Sequence, residues 1–356
     1  MPELQIGRRW IGTRHPTYFV ADISANHDGD LDRAKMLIRL AKEAGADAAK
    51  FQNFRAARIV SDRGFKALPG QLSHQAKWKK SVFEVYQDAS IPFEWTPILK
   101  ETSDKAGIDY FSAPYDFEAI DMLDAHVSMY KVGSGDITWL ESLIRIAGKR
   151  KPLFLATGAS TEDDVRRALD AILPLNRQVV LMQCNTNYTV SPDNFKHIHL
   201  NVLKSWAVRF PELVLGFSDH MPGHSAVLGA VAIGARVIEK HFTDDTGRVG
   251  PDHPFSMTPR TLREMVDRTR ELEDALGSSS KFICENEKET VVLQRRCLRA
   301  AIELSEGTVL ARAHIDVLRP ASPDSIPPCE IESVLGRRLR DRVDAGQHLQ
   351  YSMFDD

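Results

Sequence analysis

The sequence is poor in cysteine: Cys184, Cys284, Cys297 and Cys329 are the only four in 356 residues, far apart and never in a CxxC pair. That spacing excludes a disulfide framework and a zinc ribbon, and predicts a protein of the reducing cytoplasm. Neither sign of charge is in excess. The 46 Lys and Arg against 49 Asp and Glu leave a formal net charge of -3. Such a surface has no general attraction for polyanions, which excludes nucleic-acid binding as the main activity. No apolar run nears the roughly 18 residues needed to span a bilayer, so no membrane partner is expected. The opening MPELQIGRRWIGTRHP lacks the continuous apolar stretch of a secretory signal. Short internal repeats and low-complexity tracts are also missing.

What is present is regular alternation. With 43% hydrophobic residues the chain can bury a substantial core, and its length suits one barrel-sized unit plus a small second domain. Short apolar runs predict strands at Phe19–Ile23, Ala48–Gln52, Asp109–Ala113, Met129–Val132, Leu153–Thr157, Val179–Gln183, Val214–Ser218 and Val237–His241. Helix-period stretches lie between them, among them Leu31–Ala44, Thr161–Leu173 and Ser225–Ile233. Thr161 precedes an acidic first turn, and Gly45 stands where a helix would stop. This count and length predict an α/β fold, a (β/α)8 TIM barrel. A doubly wound sheet would also alternate; polar residues after each strand favour the barrel, whose chemistry sits at that end. Residues 55–80, rich in Gly, Pro and charge, read as an active-site excursion. The expected division is a barrel over 1–277 with an N-terminal extension 1–17, a linker over 278–290, and a small β-rich domain over 291–356.

The strand ends deliver a consistent set of groups. In order they offer Asp22 with Asn26 and His27, then Lys50 and Gln52, Ser112, and Lys131 with Ser134 and Asp136. Thr157 and Gly158 follow, then Thr186 and Tyr188, Ser218 with Asp219 and His220, and finally His241 with Asp244. Each has an ordinary structural reading. A lysine ending a buried strand can be an ion-pair partner, a lone histidine is more often structural than a ligand, and Tyr188 can be core. The joint pattern is harder to explain that way, because a purely structural barrel has no need for costly polar groups at nearly every strand end. Together, two ammonium groups, several hydroxyls and the amides of Gly133, Gly135 and Gly158 suit a compact, highly charged anion. His220 and His241 offer half a coordination sphere for a divalent cation. Mn²⁺ suits two nitrogens completed by oxygens, with Mg²⁺, Co²⁺ or Zn²⁺ as alternatives.

The ordered motifs AxIxxNHxG, KxQ, KxGSGD, TGxS, SDH, KHFTD, GPDH and SM resemble the sialic acid (N-acetylneuraminate) synthase family, and the LRP and LGRRLRDRVDAGQ runs resemble its antifreeze-like (SAF) domain. The likeness extends from about Tyr18 to Phe354. It implies a metal-assisted condensation of phosphoenolpyruvate with an open-chain N-acyl amino sugar, either N-acetylmannosamine or a 2,4-diacetamido hexose, by a homodimer with exchanged second domains. By that analogy His220 and His241 hold the metal. Lys50, Lys131, Ser134, Thr186 and Ser218 hold phosphoenolpyruvate, and Asp22 handles the proton of the water that attacks C2. Gln52, Asp136, Tyr188 and Asp252 contact the sugar, and Arg319 reaches the partner's site. Ser112 and Thr157 join the substrate-binding set.

Several positions depart from the family pattern. Asp22 replaces a glutamate, Ala113 and Ala156 stand where hydroxyl residues are common, and CNTNYTVSP is one residue longer than usual. The opening ADISANH is closest in type to pseudaminic or legionaminic acid synthases. Two other readings remain open at this point. One is a different phosphoenolpyruvate-condensing or metal-dependent aldolase or hydrolase barrel, with Asp219 or Asp244 as a third ligand. The other is a catalytically weak carbohydrate-binding relic.

Overall fold

The computed structural model describes residues 2–70 and 73–355. They divide into two compact units, Met1–Gly277 and Ser278–Asp356. In the first, an antiparallel hairpin, β1 (Glu3–Ile6) and β2 (Arg9–Gly12), occupies the expected extension. Its Leu4, Ile6 and Ile11 join the main core. Eight parallel strands follow: β3 (Tyr18–Asp22), β4 (Ala48–Asn53), β5 (Asp109–Pro114), β6 (Tyr130–Val132), β7 (Leu153–Ala156), β8 (Val179–Cys184), β9 (Val214–Asp219) and β10 (Val237–His241). β10 pairs back onto β3 and closes the barrel.

Local chemistry explains the boundaries. Asp30 caps the helix Leu31–Glu43 by accepting from the amides of Asp32 and Arg33, and Gly45, at φ +95°, supplies the left-handed turn that follows it. Thr161 and Asp164 form a reciprocal capping box at the head of Glu162–Ile172. Within the barrel, side chains alternate between the lumen and the helix layer. Tyr130 bonds the carbonyl of Ile120 on an outer helix, so Lys131 points inward. The same parity sends Lys50, Glu239 and His241 inward.

The excursion at 55–80 contains two short helices, Ala56–Ile59 and Asp62–Lys66, and a turn at Ser73–Lys77; its residues 71 and 72 lie outside the described set. With the next helix it forms a small core of Ala56, Val60 and Val82, packed by Phe65 and Trp78. The second unit pairs β11 (Cys297–Ala300) with β12 (Ile315–Leu318) around its own core, which includes Leu298, Leu310, Leu339 and Phe354. A helix, Lys288–Gln294, crosses the expected boundary at 290/291: the serines cover only 278–280, and the charged ENEKE that follows supplies a turn and a helix start. No helix among the described residues is long and apolar enough to cross a membrane.

Candidate active site

Four buried charges form the floor of the barrel mouth. Lys50 Nζ lies 2.7 Å from Asp22 Oδ2 and 3.1 Å from Glu239 Oε1, and Lys131 Nζ lies 3.3 Å from that same Glu239 oxygen. Ser218 donates to it as well, at 3.2 Å. All four charged side chains are at most 5% exposed. Burial opposes the Lys50 charge, but Asp22 and Glu239 outweigh it and raise its pKa above the usual lysine range. At Lys131 burial prevails, helped by repulsion from Lys50, and its pKa falls. Burial penalises the Glu239 carboxylate too, yet the two ammonium groups hold its pKa low. Burial lifts that of Asp22 against the pull of Lys50 and His241. Beside this floor, Ser134 Oγ accepts from the amide of Gly158 at 2.9 Å, and Ser134 and Ser218 flank the buried thiol of Cys184.

The two imidazoles stand at the rim. Their ring centroids are 5.3 Å apart, inside the roughly 6.4 Å that two rings bonded to one ion can span at N–metal distances near 2.1 Å. His220 Nδ1 meets the carbonyl of Asn185 at 2.9 Å and must donate to it, which leaves Nε2 with a free lone pair. His241 Nδ1 is buried without a hydrogen-bond partner. Burial, and then repulsion from His241, push the pKa of His220 well below the usual histidine range, so its ring is neutral. Two imidazoles set this close, with a nitrogen of each left without a protein partner, fit a divalent cation. Among the described residues no group of three His, Cys, Asp or Glu side chains is arranged around an ion, so oxygens from outside the protein would complete the set.

Around the rim lie the remaining predicted groups. The Tyr188 ring sits 4.5 Å from that of His220 and 6.1 Å from that of His241. His74, from the 55–80 excursion, packs 4.7 Å from Tyr188. Asp252 accepts from Ser24 Oγ at 2.6 Å and lies 3.8 Å from His241 Nδ1. Asp136 sits in the turn Ser134–Asp136 after β6, and burial lifts its pKa to about 6. Gln52 is half-buried on β4, and the Thr186 methyl abuts Gly158. A cavity of about 790 Å³ opens beside Tyr188 and Phe255 and is lined also by His74, Trp78 and Arg248. Lys50 and Lys131 do not line it.

Not every predicted residue joins this group. Ser112 shares the outward parity of β5 with Tyr110 and donates to Asn53 in the helix layer. Thr157 Oγ1 donates to the carbonyl of Met182. The lumen-facing positions of those two strands are Ala113 and Ala156, one residue away, which is the full distance between faces in a period of two. The Gly158 amide is engaged by Ser134 rather than open to an anion. Asn26 braces the carbonyl of Phe242, and His27 accepts from the Gly29 amide. Asp219 is bound by Lys240 and Asp244 by Arg33, which removes the two carboxylates offered as a third metal ligand. Arg319 belongs to the second unit, where its Nε donates to the Gln294 carbonyl. Sequence reasoning missed Glu239; its place two residues before His241, on the same face of a strand, was the available signal.

The geometry describes a (β/α)8 enzyme with two buried lysines paired to two carboxylates and an imidazole pair at one mouth. A family model described as the NeuB family matches residues 37–281, and one described as the SAF domain matches residues 295–355. The chain is 34% identical over 344 residues to the N,N'-diacetyllegionaminic acid synthase of Legionella pneumophila, covering 95% of this chain and 94% of that protein. It is 30% identical over 348 residues to human N-acetylneuraminate-9-phosphate synthase, covering 98% and 95%. The crystal structure of the spore coat polysaccharide biosynthesis protein spsE from Bacillus subtilis matches with a TM-score of 0.65 at 31% identity over 99% of each chain. This chain is a member of the NeuB family, an enzyme of the acid-synthase type with a C-terminal SAF domain.

Proposed function

We propose that this enzyme condenses phosphoenolpyruvate with the open-chain aldehyde of an N-acyl amino sugar, giving a sialic-acid-like nonulosonate and phosphate. One observation carries the reading: a pair of buried ammonium groups on one carboxylate lies in the same mouth as two imidazoles with unengaged nitrogens.

Lys50 and Lys131 hold the charged ends of phosphoenolpyruvate, helped by the hydroxyls of Ser134 and Ser218 and by Thr186. Gln52, Tyr188 and Asp252 position the sugar at the rim with its aldehyde toward His220 and His241. A divalent cation held by these two residues, Mn²⁺ in our assignment, would supply Lewis acidity at the aldehyde oxygen. C3 of phosphoenolpyruvate then forms a carbon–carbon bond to the aldehyde carbon, whose C=O π pair moves to its oxygen as an alkoxide, and this leaves positive charge at C2. Asp22 Oδ1, buried without a partner, takes one proton of the water that adds to C2, and that proton passes to the alkoxide. The bond from C2 to the phosphate ester oxygen breaks as the added hydroxyl becomes the C2 carbonyl and its proton leaves with the phosphate, whose charge the lysines compensate. We further assign a homodimer with exchanged second domains, in which Arg319 of one copy serves the barrel of the other, acting in the cytoplasm.

The test is a phosphate-release screen with phosphoenolpyruvate, Mn²⁺ and, separately, N-acetylmannosamine, its 6-phosphate and 2,4-diacetamido hexoses. Stoichiometric phosphate that depends on one of these sugars is expected. Release without any sugar, or none with all of them, refutes the reading. Sedimentation that finds a fully active monomer refutes the domain exchange.

A further inference from the structure

The mouth holds polar groups that neither the lysine floor nor the imidazole pair engages. The Asp136 carboxylate makes no hydrogen bond or ion pair with any described residue, and the same is true of the hydroxyls of Tyr86 and Tyr115. Tyr86 lies on the helix Val82–Ala89 and Tyr115 follows β5, so three separate elements bring these groups together. Phe54 is wedged between the two phenols, its ring 5.4 Å from that of Tyr86 and 5.8 Å, edge-on, from that of Tyr115. The Tyr115 hydroxyl sits over Gly133, where an added Cβ would lie only 3.0 Å away, so the glycine that opens the Ser134–Asp136 turn makes room for it. Both phenols feel the charge of Asp136. Tyr115 also feels Asp22 and Glu239 on the lysine side, and Tyr86 feels Asp252 on the imidazole side.

Half-buried hydroxyls and a carboxylate without protein partners cost stability, and phenylalanine would fill the same ring positions without that cost. The hydroxyls therefore point to a ligand. Its chemistry is constrained by the carboxylate: with no cation to balance it, Asp136 repels phosphate or another carboxylate. The groups bound here are therefore not anionic and are rich in O–H or N–H donors, while the ring of Phe54 offers apolar surface to C–H groups.

We infer that Tyr86 and Tyr115, acting with Asp136, clamp the hydroxyl and acylamino end of the sugar acceptor and so help determine which acceptor is used. This rests on the condensation proposed above and adds two residues to its acceptor site. Neither phenol takes part in phosphoenolpyruvate binding.

The test uses full-length Tyr86→Phe and Tyr115→Phe with Mn²⁺, phosphoenolpyruvate, and N-acetylmannosamine or a 2,4-diacetamido-2,4,6-trideoxyhexose as acceptor. Loss of one neutral hydrogen bond predicts about a 3- to 15-fold fall in kcat/KM for the acceptor. The KM for phosphoenolpyruvate should stay within about twofold, and Tm should not fall, because no protein partner is lost. Acceptor kcat/KM within twofold of wild type in both variants overturns the inference. A loss shared equally by phosphoenolpyruvate, or a parallel drop in Tm, assigns the phenols to scaffolding and overturns it too. A wild-type protein that releases no phosphate with either sugar or with N-acetylmannosamine 6-phosphate instead refutes the condensation. Calorimetric titration of N-acetylmannosamine then decides the clamp: weaker binding by the variants upholds it, and equal binding sinks it.

Discussion

Replacing Asp136 with asparagine should stabilise the protein and disable it at once. Asparagine keeps the shape of the side chain and removes the charge. In the folded protein burial alone lifts the pKa of Asp136 from 3.8 to about 6, with no cation to offset it. A raised folded-state pKa contributes stability that is present below about pH 4 and is lost as pH rises through 6. The carboxylate therefore costs the fold nothing in strong acid, about 1.6 kcal/mol at pH 5, and about 3 kcal/mol at pH 7.5. Asp136→Asn should recover those amounts. Near neutrality that corresponds to a rise of roughly 5–10 °C in the barrel's Tm. Urea or thermal melts at pH 5.0 and 7.5 read the difference directly. Acceptor kcat/KM should fall by about 10- to 150-fold in the same variant, as for loss of a hydrogen bond to a charged group. A variant no more stable than wild type at pH 7.5, or equally stabilised at both pH values, refutes the reasoning.

Glu239→Gln should destabilise the fold by about 3–5 kcal/mol, because Lys131 loses its one ion-pair partner among the described residues and Lys50 keeps only Asp22. Melts that match wild type would count against the shared carboxylate. His241→Ala should abolish turnover and Mn²⁺ binding by calorimetry while leaving the circular dichroism spectrum intact; a metal-loaded variant with unchanged activity removes this histidine from the metal site. Gly158→Ala places a Cβ 2.5 Å from the Thr186 methyl and 2.9 Å from Ser134 Oγ. It should cost about 1–3 kcal/mol by overpacking and raise the KM for phosphoenolpyruvate, and wild-type kinetics would show that the loop tolerates the shift.

Much of the barrel was legible because a buried parallel strand leaves a short apolar run and its crossover helix leaves a 3.6-residue period. The eight runs fall on the eight strands within a residue or two, as at Val237–His241. The lumen was less legible. Apolar runs buried on both faces carry no alternation, so nothing in FSAP or LATG distinguishes the inward residue from its neighbour, and Ser112 and Thr157, expected to bind substrate, bond Asn53 and the Met182 carbonyl instead. Glu239 is obscure for a related reason: its importance depends on two lysines that are distant in sequence and adjacent only across the closed sheet. Tyr86 lies on a helix that follows the excursion, where no strand period points to the mouth. The Asp219–Lys240 pair shows the converse error, in which a charge near a motif serves the scaffold.

The two hydrophobic cores have no residue in common. Cutting the chain within the serine-rich stretch after Gly277 would therefore sever no buried cluster, and each fragment would retain the interior that holds it folded. A protease that cuts within that stretch should leave a pair of resistant fragments of about 277 and 79 residues.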